Sequence, residues 1–197
     1  MRRVPRTALF AAAATALATV LGAATAAGAT EPELPRLALA HGKFAPASEA
    51  GKAAAVTYDT KLAPEGAQAG VVEWAGADGA TRIHLFVKGL VANRTYGAHA
   101  HTKPCGKLPA DAGPHYQDKV DPVTPSVDSR YANPHNEVWL DLKTDRRGAA
   151  YTMAKNNWHF RDGGARAVVI HEMATATHDG HAGTAGARLA CLNVPFA

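Results

Sequence analysis

Long apolar runs are scarce in this sequence, and the one that is present lies at the N-terminus. Residues 1–29 begin with the basic segment MRRVPR, continue through an Ala- and Thr-rich run, and end in small residues that suit a cleavage site. The run is long enough to suggest a membrane anchor, but it contains little Leu or Ile, and no other segment is long enough to span. No cysteine follows it, which argues against a lipoprotein. We predict a signal peptide over 1–29, export to the periplasm, envelope or exterior, and no transmembrane anchor in the mature protein.

Net charge is also low once the leader is removed. The leader contains Arg2, Arg3 and Arg6 and no acidic residue, so the formal net charge falls from +4 to +1. The high isoelectric point of the precursor therefore does not indicate nucleic-acid binding. We expect no nucleic-acid partner, and the sequence leaves the oligomeric state open.

Cysteine is rare, with only Cys105 and Cys191 in 197 residues. In an exported chain two cysteines are most simply one disulfide, with two free thiols as the alternative. The disulfide would close a loop of more than eighty residues. In the chain-entropy model such a loop adds on the order of 4 kcal/mol to the stability.

Helical periodicity is almost absent from about residue 53 onwards, and short apolar stretches between Gly, Pro and Asp turns indicate strands. In TRIHLFVKGL, Ile83, Leu85 and Val87 share one face. The pattern predicts an all-β fold, an antiparallel sandwich or barrel. Residues 30–52 are rich in Ala, Pro and Glu without lasting periodicity, and we interpret them as a linker or N-terminal arm before a domain over 53–197.

Histidine, in contrast, is plentiful, with ten in the chain. His99 and His101 in GAHAHTKPCG are two residues apart, so on a strand they share a face and can converge on one metal ion. The alternative is two exposed polar positions on an edge strand. Two stretches interrupt the strand pattern, 103–136 and 173–187, and such loops often carry function.

Five motifs that follow one another in the sequence carry a family resemblance. They are HAH at 99–101, Cys105, AGPHY at 112–116, VVIHE at 168–172 and AGARLAC at 185–191. This order resembles the copper/zinc superoxide dismutase family over residues 53–197. The resemblance implies a Greek-key, eight-stranded antiparallel β-barrel or sandwich with long functional loops. It also implies superoxide dismutation at a copper ion that alternates between Cu(II) and Cu(I).

The resemblance assigns a role to several residues. Four histidines match the copper ligands, namely His99, His101, His115 and His171. Within this set, His115 matches the histidine that bridges copper and zinc, and we expect it to leave copper and carry a proton during turnover. Cys105 and Cys191 match the intrasubunit disulfide, and Arg188 matches the active-site arginine. The residue chemistry agrees, because imidazoles suit copper and a fixed cation attracts a small anion such as superoxide.

The zinc half of the family pattern is missing. The loop from Tyr116 to Pro134 contains no histidine, and Val138, three residues after His135, cannot bind a metal. Structural zinc uses four ligands, and His115 and His135 make at most two, so we expect no zinc site of the family type. Three acidic residues of the loop are interpreted as solvated, although they offer oxygen ligands: Asp118, Asp121 and Asp128.

The stretch after His171, EMATATHDGHAGTAGA, is shorter and less charged than the family's electrostatic loop. It resembles the copper-only branch of the family, here of exported bacterial type, in which copper is more open to solvent. Without zinc, a carboxylate has to orient His115 by accepting its second N–H. Glu137 is our candidate and Asp141 the second choice, with an ordinary exposed acid as the alternative reading of Glu137.

The remaining histidines carry weaker signals. His178 and His181 are interpreted as solvated loop residues, with an accessory copper-loading site as the alternative. We expect no function for His41, His84 and His159. Three rival functions stay open: a copper-binding or copper-delivery protein with little turnover, a zinc-retaining dismutase with other ligands, and a metal-free adhesive or structural sandwich.

Overall fold

The structure is a computed structural model and describes residues 35–196. The predicted signal peptide therefore lies outside the described residues. The described part contains two short 3₁₀ helices, Ala47–Glu49 and Pro109–Ala112. Its strands are β1 (Arg36–Pro46), β2 (Ala55–Thr57), β3 (Gln68–Ala75), β4 (Thr81–Lys88), β5 (Thr95–His101), β6 (Leu142–Lys143), β7 (Ala150–Asn156), β8 (Ala167–His171) and β9 (Arg188–Asn193). No helix within residues 35–196 has the length and apolar character needed to cross a membrane.

These strands form a nine-stranded sheet in the order β6–β5–β8–β9–β2–β1–β3–β4–β7. All neighbours pair antiparallel except β1 and β2, which pair parallel. The two end strands, β6 and β7, are consecutive in the chain and lie close together, so the sheet is nearly closed. The predicted all-β barrel is confirmed, with nine strands instead of eight.

The additional strand is β1. It pairs antiparallel with β3 along its first eight residues, and its last residues pair with β2. The prediction of a linker is therefore wrong for residues 36–46, which belong to the barrel. The hydrophobic pattern misleads because Leu37 and Leu39 are exposed, whereas Ala38 and Phe44 are buried. In the usual strand pattern the large apolar side chains face the core. In β1 the leucines face outward and Ala38 faces inward, so the sequence does not show that pattern.

The barrel interior follows the predicted alternation where the sequence is regular. In β4, Ile83, Leu85 and Val87 are buried, and Phe86 on the opposite face is exposed. A second apolar cluster lies outside the main core and includes Val56, Val169 and Cys191 of neighbouring strands. His99 lies opposite Val169 in the β5–β8 pairing. The histidine face of β5 thus continues into an apolar surface that the loops cover.

The predicted disulfide is present. Cys105 and Cys191 are bonded, with a sequence separation of 86. The backbone N–H of Cys105 also donates to the side-chain oxygen of Asn193 at 2.8 Å. The bond ties the loop that follows β5 to the middle of β9, which begins at Arg188.

Candidate metal centre

Four histidines from separate parts of the chain converge. His99 and His101 lie on the same face of β5, and His171 is the last residue of β8. His115 belongs to an extended segment that pairs with His101. One ring nitrogen from each histidine lies within 4.8 Å of the others. Across residues 35–196 this is the one group of at least three His, Cys, Asp or Glu side chains arranged to hold a metal ion.

Gly97 allows a loop to close over this cluster. It is directly opposite His171 in the β5–β8 pairing. A Cβ atom at Gly97 would lie 2.7 Å from the carbonyl oxygen of Met173 and 2.8 Å from Cβ of Ala185. Both distances are shorter than normal packing permits, so only glycine lets the segment after His171 approach β5 this closely.

Glu137 is a buried carboxylate in hydrogen-bond contact with His115. Its side chain accepts three hydrogen bonds, from Nδ1 of His115 at 2.9 Å, Nε1 of Trp139 at 2.7 Å and Nε2 of Gln117 at 2.8 Å. The residue is only 1% exposed. Glu137 is therefore the carboxylate partner of His115 that we predicted from the sequence. The alternative, that Glu137 is an ordinary exposed acid, is wrong.

A second support lies behind His99. Its Nε2 is 2.7 Å from Oγ1 of Thr175, which donates to Oδ1 of Asp141. The backbone N–H of Thr175 donates to Oδ2 of the same aspartate at 2.7 Å. Asp141 thus supports His99 through a threonine and does not contact His115 directly. The sequence reasoning missed Thr175, because nothing local marks it and only the closure over Gly97 brings it to β5.

These hydrogen bonds leave the inner ring nitrogens for a metal. Nδ1 of His101 donates to the carbonyl of Gly113 at 2.9 Å, which leaves its Nε2 facing Nε2 of His171 at 3.3 Å. Nδ1 of His99 is buried and has no hydrogen-bond partner. Buried polar atoms are normally paired, so the unpaired Nδ1 of His99 fits the position of a metal-binding nitrogen. Imidazole nitrogens suit Cu, Zn, Fe and Ni, and the donor set fits a transition metal.

The cluster holds its rings in the neutral form that binds metals. Burial lowers the pKa of His99 and of His101 well below the ordinary value, and the neighbouring imidazoles add to the effect. Burial, followed by the charges of His115 and Arg188, lowers the pKa of His171 to about 3. The three rings are therefore unprotonated at neutral pH.

Arg188 is the cation of the site. It lies opposite His171 in the β8–β9 pairing, next to an irregularity in register between Ile170 and His171. The side chain is partly buried, and NH1 donates to the carbonyl of Pro109 at 2.9 Å. Arg188, His115 and His171 line the same cavity. The structure therefore brings the predicted arginine beside the histidine cluster.

The other candidate ligands lie apart from the cluster. His135 is exposed, and its hydrogen bonds are made by its backbone. Asp128 pairs with Arg130. The interpretation of Asp121 as a solvated acid is wrong, because it is 7% exposed and accepts a hydrogen bond from Ser126. Neither aspartate is an open ligand. The exposed rings of His178 and His181 have centroids 5.0 Å apart. An accessory role for this pair stays a prediction.

Comparisons with known proteins support the fold. No family model matches the chain, and no curated protein matches it. Among solved structures, the clock protein EA4 matches at 18% identity with a TM-score of 0.53, over 84% of this chain and 97% of that one. An SOD-like protein from Bacillus subtilis matches at 17% identity with a TM-score of 0.50, over 78% and 96%. A proline-to-histidine mutant of the SOD-like protein matches at 16% with a TM-score of 0.50, over 80% and 97%. At such identities the likeness concerns architecture alone, and it shows that this chain has the Greek-key β-barrel of the SOD-like fold.

Proposed function

We propose that this chain is a copper-dependent superoxide dismutase of the copper-only type. The net reaction takes two superoxide anions and two protons to one O₂ and one H₂O₂. One observation carries the proposal: four imidazoles converge, the inner Nδ1 of His99 is unpaired, and a cation beside them has no carboxylate partner among the described residues. His99, His101, His115 and His171 would hold the metal.

Copper held by these four rings would supply a reversible one-electron couple between Cu(II) and Cu(I). The choice of copper rests on the ligands, because neutral imidazoles bind Cu(II) near the top of the divalent affinity series. The same rings also suit Cu(I). No thiolate or carboxylate belongs to the described cluster.

His115 is the ring suited to handle protons. It is the one partly exposed member of the cluster, whereas the other three are buried. Its Nδ1–H is committed to Glu137, so Nε2 is the nitrogen on which a proton can be taken up from solvent. His115 would accept a proton there and pass it to the peroxide product.

Arg188 would bind and orient the anion. Its guanidinium has donors left after the single bond to Pro109, and it lines the cavity that also reaches His115 and His171. A fixed guanidinium attracts a small anion and orients it by paired hydrogen bonds. The substrate proposed here is therefore a small anion and not a nucleic acid.

Glu137 supports a site without zinc. In the copper/zinc enzymes that the sequence resembles, zinc orients the bridging imidazole. Here the buried carboxylate accepts the Nδ1–H of His115 and fixes the tautomer of that ring. Hydrogen-bond partners of this kind orient metal-bound histidines in other proteins.

Export is part of the proposal. It rests on the sequence of residues 1–29 and is consistent with the disulfide between Cys105 and Cys191, since such bonds persist in oxidising compartments. With β1 included, the functional domain would begin near residue 36.

The test is to load the purified chain with Cu(II), Zn(II) or both, and to measure bound metal and superoxide loss. We expect one copper per chain and full activity without zinc. Tight copper binding without activity would move the assignment to copper binding or delivery. A requirement for zinc would point to a zinc-retaining dismutase, and no metal binding would leave a structural β-sandwich.

A further inference from the structure

A large cavity adjoins the candidate metal centre. It has a volume of about 720 Å³, and His115, His171 and Arg188 belong to its lining. Ligand pockets for small organic molecules have volumes of roughly 300–1,000 Å³. Superoxide has two atoms and needs only a fraction of this space. The size of the cavity is therefore unexplained by the proposed dismutation.

One wall of the cavity is an apolar segment of the loop after His115. It includes Val120, Val123, Pro125 and Val127. Val120 and Val123 are 66% and 65% exposed, which is high for valine. Apolar side chains gathered at the mouth of a cavity are typical of a binding site for an apolar group.

This wall is held in place by side-chain hydrogen bonds. Ser126 Oγ donates to Asp121 Oδ2 at 2.7 Å, and the backbone N–H of Asp121 donates to Oε1 of Gln117 at 2.8 Å. Nε2 of Gln117 donates to Ser126 and to Glu137. The valine wall is thus connected to the carboxylate behind His115, and the cavity is formed in advance of any ligand.

The charges in the cavity favour an anion. Arg188 makes no ion pair with any carboxylate in the part of the chain that the structure describes, and one hydrogen bond to Pro109 leaves donors free. The lining acids Asp121 and Glu137 are 7% and 1% exposed, and their oxygens accept hydrogen bonds. Arg161 donates through both terminal nitrogens to backbone carbonyls. Arg188 is therefore the charged side chain of the lining that is available to bind an anion.

We propose that this cavity binds a small aromatic carboxylate. The carboxylate pairs with Arg188, and the ring packs against Val120 and Val123. Such binding requires no metal, so it goes beyond the proposed dismutation. It occupies the arginine on which superoxide depends, and the ligand therefore acts as a competitive inhibitor of a dismutase at this site.

The test uses benzoate as the probe, with binding to the purified chain measured by calorimetry and by the methyl NMR signals of the valines. We expect one saturable site and shifts of the Val120 and Val123 methyl groups. Benzyl alcohol, which has the same ring without the charge, should bind at least tenfold more weakly. V123D should also weaken benzoate binding at least tenfold, and V91D, an exposed valine outside the cavity, should leave it unchanged.

V120D provides a second variant, and circular dichroism shows whether each variant is folded. Benzoate that does not saturate, that binds no better than benzyl alcohol, or that binds V120D and V123D as it binds the unaltered chain would overturn the proposal. These readouts are independent of superoxide loss. Inactive protein that still binds benzoate refutes only the dismutase assignment, and active protein that ignores benzoate refutes only this site.

Discussion

Arg188 lies directly across the β8–β9 ladder from His171, so the cation and one candidate metal ligand are neighbours on the same sheet. Directly opposite residues on antiparallel strands place their side chains on one face. The position of Arg188 is thus fixed by strand pairing and by the disulfide three residues later.

Arg188→Ala should reduce superoxide loss on the order of tenfold or more, because it removes the cation that attracts and orients the anion. Copper affinity should stay unchanged, since Arg188 is not part of the imidazole cluster. Activity assays and copper titrations on one preparation measure both quantities. Arg146→Ala removes an exposed cation from a turn that does not line the cavity, and it is the control. Equal losses of activity and of copper affinity would contradict the role given to Arg188.

Glu137→Gln should weaken copper binding on the order of 10- to 100-fold, the usual effect of losing a hydrogen-bond partner behind a metal-binding histidine. A glutamine has one acceptor oxygen, so it cannot accept from His115, Trp139 and Gln117 together. Copper competition titrations and the electron paramagnetic resonance spectrum of the Cu(II) form measure the change. Glu65→Gln, on an exposed turn, should have no effect. An unchanged spectrum and affinity in E137Q would show that Glu137 does not orient the ring.

Thr175→Val should also weaken copper binding, because it breaks the connection between His99 and Asp141 at nearly constant volume. It leaves a buried ring nitrogen and a carboxylate oxygen without a partner, which costs about 1–3 kcal/mol of stability per group. Thr175→Ser keeps the hydroxyl and should restore copper affinity, a rescue that lost packing alone would not produce. Thr177→Val, on the exposed part of the same loop, is the control. The idea fails if T175S and T175V bind copper equally.

The metal-free protein should lose stability as the pH falls below about 6.5, the ordinary pKa of histidine. In the unfolded chain His171 takes up a proton near that pH, but in the folded chain its pKa is about 3. The unfolded state therefore binds more protons between these values, and the free energy of unfolding falls by about 1.4 kcal/mol per pH unit from this residue. His99 and His101 shift in the same direction and add to the loss. Urea unfolding at several pH values measures the slope, with His41→Gln as an exposed control, and a flat profile between pH 7 and 5 would rule out the effect.

Replacing both Cys105 and Cys191 by serine should lower the free energy of unfolding by about 4.6 kcal/mol in the chain-entropy model for a separation of 86 residues. The loss should be visible as a lower midpoint in urea, and the unaltered chain should show the same loss after treatment with a reductant. A double variant as stable as the oxidised chain would mean that packing around β9 holds the loop without the bond.

Two kinds of sequence pattern predicted the structure correctly: the periodicity within a single strand, and the order of the family motifs along the chain. The alternation of Ile83, Leu85 and Val87 predicted the buried face of β4, because one strand with a clear period needs no other information. The motif order predicted that His99, His101, His115 and His171 would converge, since the resemblance supplies the long-range arrangement.

The parts that escaped prediction depend on contacts between distant residues. β1 was missed because its leucines face outward, and only the pairing with β3 shows that it is a strand. Thr175 reaches His99 only because Gly97 leaves room for the loop. The wall around Val120 and Val123 is shaped by side-chain hydrogen bonds of Asp121, which have no periodic signature.

The disulfide closes a covalent loop from Cys105 to Cys191 and leaves two segments of the chain outside it. This loop carries His115 and His171, whereas His99 and His101 lie on the segment just before it. A metal bound by all four imidazoles would therefore be a second cross-link, which joins the disulfide-closed loop to the segment that precedes it. Each cross-link shortens the loop that the other has to close, so oxidation of the cysteines and uptake of metal would favour one another during maturation.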